Sequence, residues 1–181
     1  LRDMAYASGK AGLTRKPENV KQSSYAFFPG CQLAGSDPRY VTRTYEWLHS
    51  KKPDAAIWMT CCSAPAEWAG EVDIHAAHLE KMRQQWRELG EPTGILACPN
   101  CRKMFEEYLP ELPVVFLEEV MEEWGMEKDA ALEPDNAEKG EMEAGSTQQA
   151  QSYALFDPCA SRYYPELQLS LIHISEPTRL D

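Results

Sequence analysis

Short apolar segments alternate along this chain with longer segments in which apolar residues recur every three or four positions. The short segments have the length and composition of buried strands, and the longer ones are typical of helices with one apolar face. The predicted strands are 24–28, 55–60, 94–97 and 114–117. Because the two types alternate through short connections, the pattern predicts an α/β fold, a small parallel sheet with helices on its faces in a Rossmann-like arrangement.

Capping residues mark the ends of the predicted helices. Asp37-Pro38 combines an N-cap residue with a proline at the first helical position, and predicts a helix that ends before Pro53. A turn or short helix is expected over 65–70, and the next helix ends at Leu89, where Gly90 follows. Two further helices are predicted over 101–108 and 118–124.

Five of the six cysteines come shortly after three of the predicted strands. They are Cys31, the adjacent pair Cys61 and Cys62, and Cys98 and Cys101 of a C-x-x-C motif. Parallel strands end at the same edge of a sheet, where open α/β sheets bind ligands, so the five thiols are expected to converge there. They outnumber the ligands of one tetrahedral zinc ion and suit a polynuclear iron–sulfur site.

Other interpretations of these cysteines stay open at this point. Four of the five thiols could form a four-thiolate zinc site, and some could be inert thiols of the core. A catalytic thiol–disulfide oxidoreductase could be built on Cys98 and Cys101, but it would leave the other three unexplained. His75 and His78 lie far in sequence from any cysteine and are predicted on a solvated helix face, with a role as metal ligands as the less favoured alternative.

The net charge of −11 is concentrated in one part of the chain. Residues 118–143 carry a net charge of −9, so the cysteine-bearing part is close to neutral. This balance argues against a nucleic-acid partner, which would need a basic face. We interpret the acidic run as a solvated helix end and linker, with an acidic docking patch for a redox partner as the alternative.

The sequence indicates a cytoplasmic location. Residues 1–25 show no apolar core of a signal peptide, and no apolar run approaches the roughly 20 residues that span a bilayer. Any membrane association is therefore expected to be peripheral and to depend on a partner. Clustered thiols without an export signal predict metal or redox ligands in a reducing compartment.

The chain divides into five predicted segments. Residues 1–23 are read as an N-terminal extension, 24–125 as a cysteine-rich iron–sulfur domain, and 126–150 as an acidic linker. Residues 152–159 match 24–31 at five of eight positions, so 151–168 are predicted to begin a second, truncated copy. Cys159 would then be the first ligand of a second, incomplete site. Residues 169–181 resemble the translation of a sequencing adapter and are expected to take no part in the fold.

The cysteine motifs resemble those of a known family. Pro29-Gly30-Cys31, the Cys61-Cys62 pair and Cys98-Pro99-Asn100-Cys101 are similar to the cysteine-rich (CCG) domain found twice in the B-type subunit of heterodisulfide reductases. The same domain occurs in iron–sulfur subunits of glycolate and lactate oxidation systems and of anaerobic glycerol-3-phosphate dehydrogenase. The resemblance covers about residues 24–125, and Asp157-Pro158-Cys159 resembles the start of its second copy.

This resemblance implies a non-cubane 4Fe-4S cluster held by Cys31, Cys61, Cys62, Cys98 and Cys101. It also implies an electron-transfer module of an anaerobic-type oxidoreductase, with a flavoprotein or ferredoxin-type subunit as partner. With a single full cysteine set, this chain alone is not expected to be catalytic. Family members usually carry glycine after the cysteine pair, where this chain has Ser63. If that position needs a positive φ, serine costs about 1 kcal/mol relative to glycine.

Overall fold

A computed structural model describes residues 12–125 and 163–164 of the chain. Its five strands form one sheet in the order β1-β3-β2-β4-β5. Strands β2 to β5 are parallel, while β1 pairs antiparallel with β3 at one edge. The strands are β1 (Leu13–Arg15), β2 (Tyr25–Phe28), β3 (Ala56–Met59), β4 (Thr93–Leu96) and β5 (Val114–Phe116). The predicted α/β class with a mainly parallel sheet is confirmed.

Six helices connect the strands or extend from them. They are α1 (Gly30–Ser36), α2 (Pro38–Lys51), α3 (Ala64–Trp68), α4 (Val72–Leu89), α5 (Pro99–Tyr108) and α6 (Leu117–Trp124). The predicted caps are present: Asp37 Oδ1 accepts a hydrogen bond from the Arg39 backbone N–H at 2.9 Å, and α4 ends at Gly90 in the left-handed conformation. The acidic segment 126–150, Cys159 and residues 169–181 lie outside the described residues.

Each central strand buries side chains on both of its faces. Successive residues of a strand point to opposite sides of a sheet. Phe28, Trp58 and Leu96 pack with residues of α4 and α5 on one face, and their neighbours Phe27, Ile57 and Ile95 pack with residues of α2 and α6 on the other. This double burial explains why the strands appear in the sequence as continuous apolar runs.

Two short elements were not predicted. Strand β1 lies within residues 1–23, which the sequence placed outside the domain, and it adds an antiparallel edge to the sheet. Its three residues, Leu-Thr-Arg, alternate between exposed and half-buried, so they give no apolar run to recognise. Helix α1 carries Cys31, and its glycine-containing sequence has too little helical periodicity to identify it. Both elements depend on tertiary contacts.

The connections reverse direction around β2. The chain passes from β2 to β3 on one side of it and then to β4 on the other side. Neighbouring strands whose connections leave in opposite directions create a crevice at their carboxyl ends, and open α/β sheets bind ligands at such a point. The crevice between β2 and β4 is therefore the position at which the fold favours a site.

Tyr164, from the predicted second copy, packs against the first domain. Its ring lies 5.2 Å from that of Phe116, and its hydroxyl donates a hydrogen bond to Glu106 Oε2 at 2.9 Å. The guanidinium of Arg102 lies 5.1 Å from the Tyr164 ring centre. Tyr164 thus contacts the surface formed by α5 and β5.

We predict that Phe105→Ala destabilises the domain by about 3–5 kcal/mol, the usual cost of truncating a buried phenylalanine. Phe105 is 1% exposed and packs edge to face against Phe28 and Trp58, with ring centres 5.2 and 5.7 Å away. The free energy of unfolding of metal-free, reduced protein in urea measures the effect. Tyr40→Ala is the control, because Tyr40 is 48% exposed and its loss should change stability by less than about 0.5 kcal/mol. Equal effects would contradict the described core.

Candidate metal centre

Three parallel strands deliver the five cysteines to one edge of the sheet. Cys31 lies in the first turn of α1, after β2, and Cys61 and Cys62 follow the end of β3. Cys98 is the N-cap of α5, after β4, and Cys101 lies in the first turn of that helix. Cys61, Cys62 and Cys101 are buried, Cys98 is half-buried and Cys31 is exposed.

Hydrogen bonds between the thiols connect the five cysteines into one array. Cys31 is bonded to Cys61, Cys61 to Cys62, Cys62 to Cys101, and Cys101 to Cys98. The structure therefore brings together every cysteine that the sequence assigned to this site. Cys159 lies outside the described residues.

Two left-handed residues allow the chain to turn into the array. Gly30, next to Cys31, has a φ of 71°, and a Cβ atom there would lie only 3.2 Å from Cys101 Sγ. Ser63 follows the cysteine pair with φ 70° and ψ 4°, so the position does need a positive φ. Its backbone N–H donates to Cys61 Sγ at 3.3 Å. Left-handed backbone at a serine costs about 1 kcal/mol.

Cys98 ionises more easily than an ordinary thiol. The hydrogen bond from the Cys101 thiol lowers its pKa most, and the backbone N–H groups of Cys101 and Asn100 at the start of α5 contribute further. Burial and the nearby Glu118 carboxylate act in the opposite direction, and the resulting pKa is about 6. A thiolate at a helix N-terminus is a ready metal ligand or nucleophile.

Cys31, Cys62 and Cys101 retain their protons more strongly than an ordinary thiol. Hydrogen bonding to Cys61, burial and repulsion from neighbouring thiolates raise the pKa of Cys31. Hydrogen bonds to Cys62 and Cys98, together with burial, raise that of Cys101. Cys62 shares the single thiol hydrogen of Cys101 with Cys98, which favours the Cys62 thiolate, but contact with Cys61 and burial prevail and raise the pKa of Cys62 to about 12. Several thiolates can coexist here only if a cation neutralises them, so metal binding would release protons.

His75 and His78 are not on a purely solvated face, so that prediction was wrong. Both are half-buried on α4, and their Nδ1 atoms lie 3.0 and 3.3 Å from Ser63 Oγ. Burial lowers the pKa of His78. Their spacing of three residues places them on one side of the helix, but nothing in the sequence indicates that this side meets the residue after the cysteine pair.

Glu118 is a further group at this edge of the sheet that the sequence did not indicate. It lies in the first turn of α6, directly after β5. Burial raises the pKa of its carboxyl group, and within residues 12–125 and 163–164 its Oε2 atom has no hydrogen-bond partner. Its charge acts on Cys98, since it raises the pKa of that thiol.

A cavity of about 240 Å³ opens beside the array. Its lining includes Gly30, Cys31, Ala34, Met59, Thr60 and Cys61. A larger cavity of about 500 Å³ lies on the β1 side of the sheet, and none of the five cysteines lines it. Solvent or a partner can therefore approach the array from the side of Cys31.

The cysteine array is not preorganised around a single metal ion. Among the described residues, no group of three or more His, Cys, Asp and Glu side chains is arranged to hold one. The thiols instead contact one another through the hydrogen bonds described above. Their number and softness nevertheless fit thiophilic metals and iron–sulfur clusters, and metal sites commonly form only as the metal binds.

The fold and site define a class of protein, an α/β domain with an array of cysteines at its topological switch point. Residues 25–106 match the model of the CCG family, described as a cysteine-rich domain, and this match confirms the resemblance that the cysteine motifs predicted. No curated protein and no solved structure matches the chain significantly. A domain of this family indicates a metal-binding or iron–sulfur module. In the described part of the chain, none of the helices has the length and apolar character needed to cross a bilayer.

We predict that Cys98 is alkylated before Cys31, Cys62 and Cys101 in metal-free, reduced protein. Its rate of reaction with iodoacetamide should rise as pH increases through about 6 and level off above it, because only the thiolate reacts. Peptide mass spectrometry after short pulses at different pH values measures this. In Cys101→Ala, which removes the main stabilising hydrogen bond, the midpoint should move toward the ordinary thiol value of about 8.5. An unchanged midpoint in that variant would contradict the described hydrogen bond.

We predict that Gly30→Ala impairs metal binding beyond any loss of stability. The new Cβ would press on Cys101 Sγ, and alanine is unfavourable at this φ. Gly70→Ala is a matched control, because Gly70 has a φ of 70° and open space around it. Both variants should lose about 1 kcal/mol of stability, but only Gly30→Ala should retain less metal in elemental analysis after anaerobic reconstitution. Equal metal content would show that the array tolerates the added methyl group.

Proposed function

We propose that residues 24–125 bind an iron–sulfur cluster through Cys31, Cys61, Cys62, Cys98 and Cys101 and transfer electrons between redox partners. The cluster would be a non-cubane 4Fe-4S cluster. The domain would be a module of an oxidoreductase and would be similar to the B-type subunit of heterodisulfide reductases. The partners would be a flavoprotein or ferredoxin-type subunit and an electron acceptor, in the cytoplasm.

The observation that carries this proposal is the continuous five-thiol array. The five cysteines follow the ends of three strands, and hydrogen bonds connect each thiol to the next one in the series. A single zinc ion would leave at least one thiol unused, whereas polynuclear clusters commonly use cysteine thiolates alone. The match of residues 25–106 to the cysteine-rich domain family supports the same conclusion.

The surrounding residues have separate tasks in this proposal. Phe28, Trp58 and Phe105 form a dry aromatic wall in the core cluster that contains Cys62 and Cys101, and exclusion of water influences the potential of a site. The exposed Cys31 and the adjacent cavity leave one side open to a partner. When bound, an iron–sulfur cluster supplies one-electron transfer. With one five-cysteine set in the array, disulfide cleavage is not proposed for this chain alone.

A structural zinc site is the second candidate, and the exposure of Cys31 favours it. The other four cysteines are buried or half-buried and could form a four-thiolate site without Cys31. The low pKa of Cys98 at the start of α5 also fits the third alternative, a thiol–disulfide oxidoreductase. The two metal candidates differ in their need for Cys31, which makes this residue the decisive one to change.

We predict that protein purified anaerobically and reconstituted with iron and sulfide is brown and contains about four iron and four sulfide per chain, as for a 4Fe-4S cluster. Cys31→Ser should lose this cluster, because Cys31 is a proposed ligand. Cys159→Ser is the control and should keep it, because Cys159 belongs to the predicted second site. Iron, zinc and acid-labile sulfide analysis and visible absorption measure the outcome.

Two results would support other functions instead. One tightly bound zinc without sulfide, retained in Cys31→Ser, would establish the structural zinc site. Catalytic turnover of a disulfide substrate by metal-free protein, abolished in Cys98→Ser, would establish the thiol–disulfide oxidoreductase.

A further inference from the structure

Ser63 has a backbone conformation that its residue type does not favour. Its φ of 70° and ψ of 4° are left-handed, where the Cβ atom of any residue other than glycine crowds the backbone. The residue is 1% exposed, so bulk solvent does not reach its hydroxyl group. Neighbouring residues must therefore stabilise the turn between Cys62 and α3.

Two histidines of α4 supply these contacts. His75 Nδ1 lies 3.0 Å and His78 Nδ1 3.3 Å from Ser63 Oγ. A hydroxyl group has one hydrogen and two lone pairs, so it can donate to one imidazole while it accepts an N–H from the other. This three-centre arrangement fixes the orientation of the serine side chain and uses both Nδ1 atoms, which are then not free to bind a metal.

The contacts continue from the histidines to the cysteines. The Ser63 backbone N–H donates to Cys61 Sγ at 3.3 Å, so the residue that the histidines contact is itself bonded to the cysteine pair. On the other side, the His75 ring packs edge to face on Tyr108 of α5, with centres 4.6 Å apart. Helix α5 also carries Cys101. The serine and the two histidines therefore connect the cysteine pair to the two helices that cover it.

We propose that His75 and His78 are positioning residues that hold the Ser63 hydroxyl, keep Ser63 left-handed and thereby fix the Cys61–Cys62 pair for metal binding. This inference deepens the proposed function, because that pair belongs to its ligand set. In this role the histidines act through Ser63, with their Nδ1 atoms. Glycine at position 63 would adopt the left-handed conformation through its backbone freedom. In this chain, the contacts of the serine hydroxyl group stabilise the same conformation.

The first test measures protection of the residue 63 amide from hydrogen exchange by NMR, in metal-free, reduced protein. Loss of one hydrogen bond of ordinary strength changes a local opening equilibrium by about tenfold. Ser63→Ala should therefore lower the protection factor about tenfold, because it keeps the Cβ and loses the hydroxyl. Ser63→Gly should stay close to the original protein, because glycine adopts this conformation unaided. Unchanged protection in Ser63→Ala would overturn the proposal.

The histidine variants test whether the effect passes through the hydroxyl group. His75→Leu and His78→Leu should each lower protection, while His75→Asn and His78→Asn should largely restore it, because asparagine places a polar atom near the Nδ1 position. Repeated in the Ser63→Gly background, the leucine changes should have no effect on residue 63. An effect in that background would overturn the proposal. His49→Leu, on α2, is the control for loss of a half-buried histidine elsewhere.

A spectroscopic measurement connects this result to metal binding. In reconstituted protein, Ser63→Ala and the leucine variants should broaden or split the electron paramagnetic resonance signal, and Ser63→Gly should retain it. Retention of the original signal in every variant would contradict fixation of the pair for metal binding. If neither the original protein nor any variant binds iron, the proposed function fails. The hydrogen-exchange measurements still decide whether the histidines position Ser63. If Ser63→Ala does not fold, the leucine and asparagine pairs decide it.

Discussion

Parallel pairing of β2 with both β3 and β4 is the constraint on which the site depends. Ala26 and Phe27 lie opposite residues of both neighbouring strands, so the three strands end together and their following loops meet. Both faces of these strands are apolar, so hydrophobicity alone does not select their register. The register must therefore depend on how the side chains fit together. The edge-to-face contacts among Phe28, Trp58 and Phe105 provide such a specific fit.

Concentrating five thiols in one array has an electrostatic consequence. Cys98 can lose its proton near pH 6, but hydrogen bonds to neighbouring thiols, burial and nearby negative charge raise the pKa values of Cys31, Cys62 and Cys101. The metal-free array is therefore held together by shared protons. A metal or cluster would replace these protons as the positive charge that binds the thiols together.

The sequence predicted what local patterns determine. Apolar runs identified four strands, Asp37 and Gly90 identified helix ends, and the positions of cysteines after strands predicted their convergence. Ser63 stands where the resembling family usually has glycine, so the sequence also indicated that this position could need a positive φ. In contrast, β1, α1 and the contact of His75 and His78 with Ser63 depend on which segments meet in space. A strand of three residues and a pair of histidines are too short to show a hydrophobic periodicity, so the sequence does not reveal which segments they contact.

The environment of the array differs between its two sides, and this difference bears on its chemistry. Cys61, Cys62 and Cys101 are buried, and Ser63 and its two histidines support the pair from α4. Cys31 instead lies on α1, exposed beside the 240 Å³ cavity. A buried side limits water and side reactions, while an open side shortens the path to a redox partner. Electron exchange in the proposed function would therefore take place across α1, and the helices α3, α4 and α5 would serve to hold and shield the ligands.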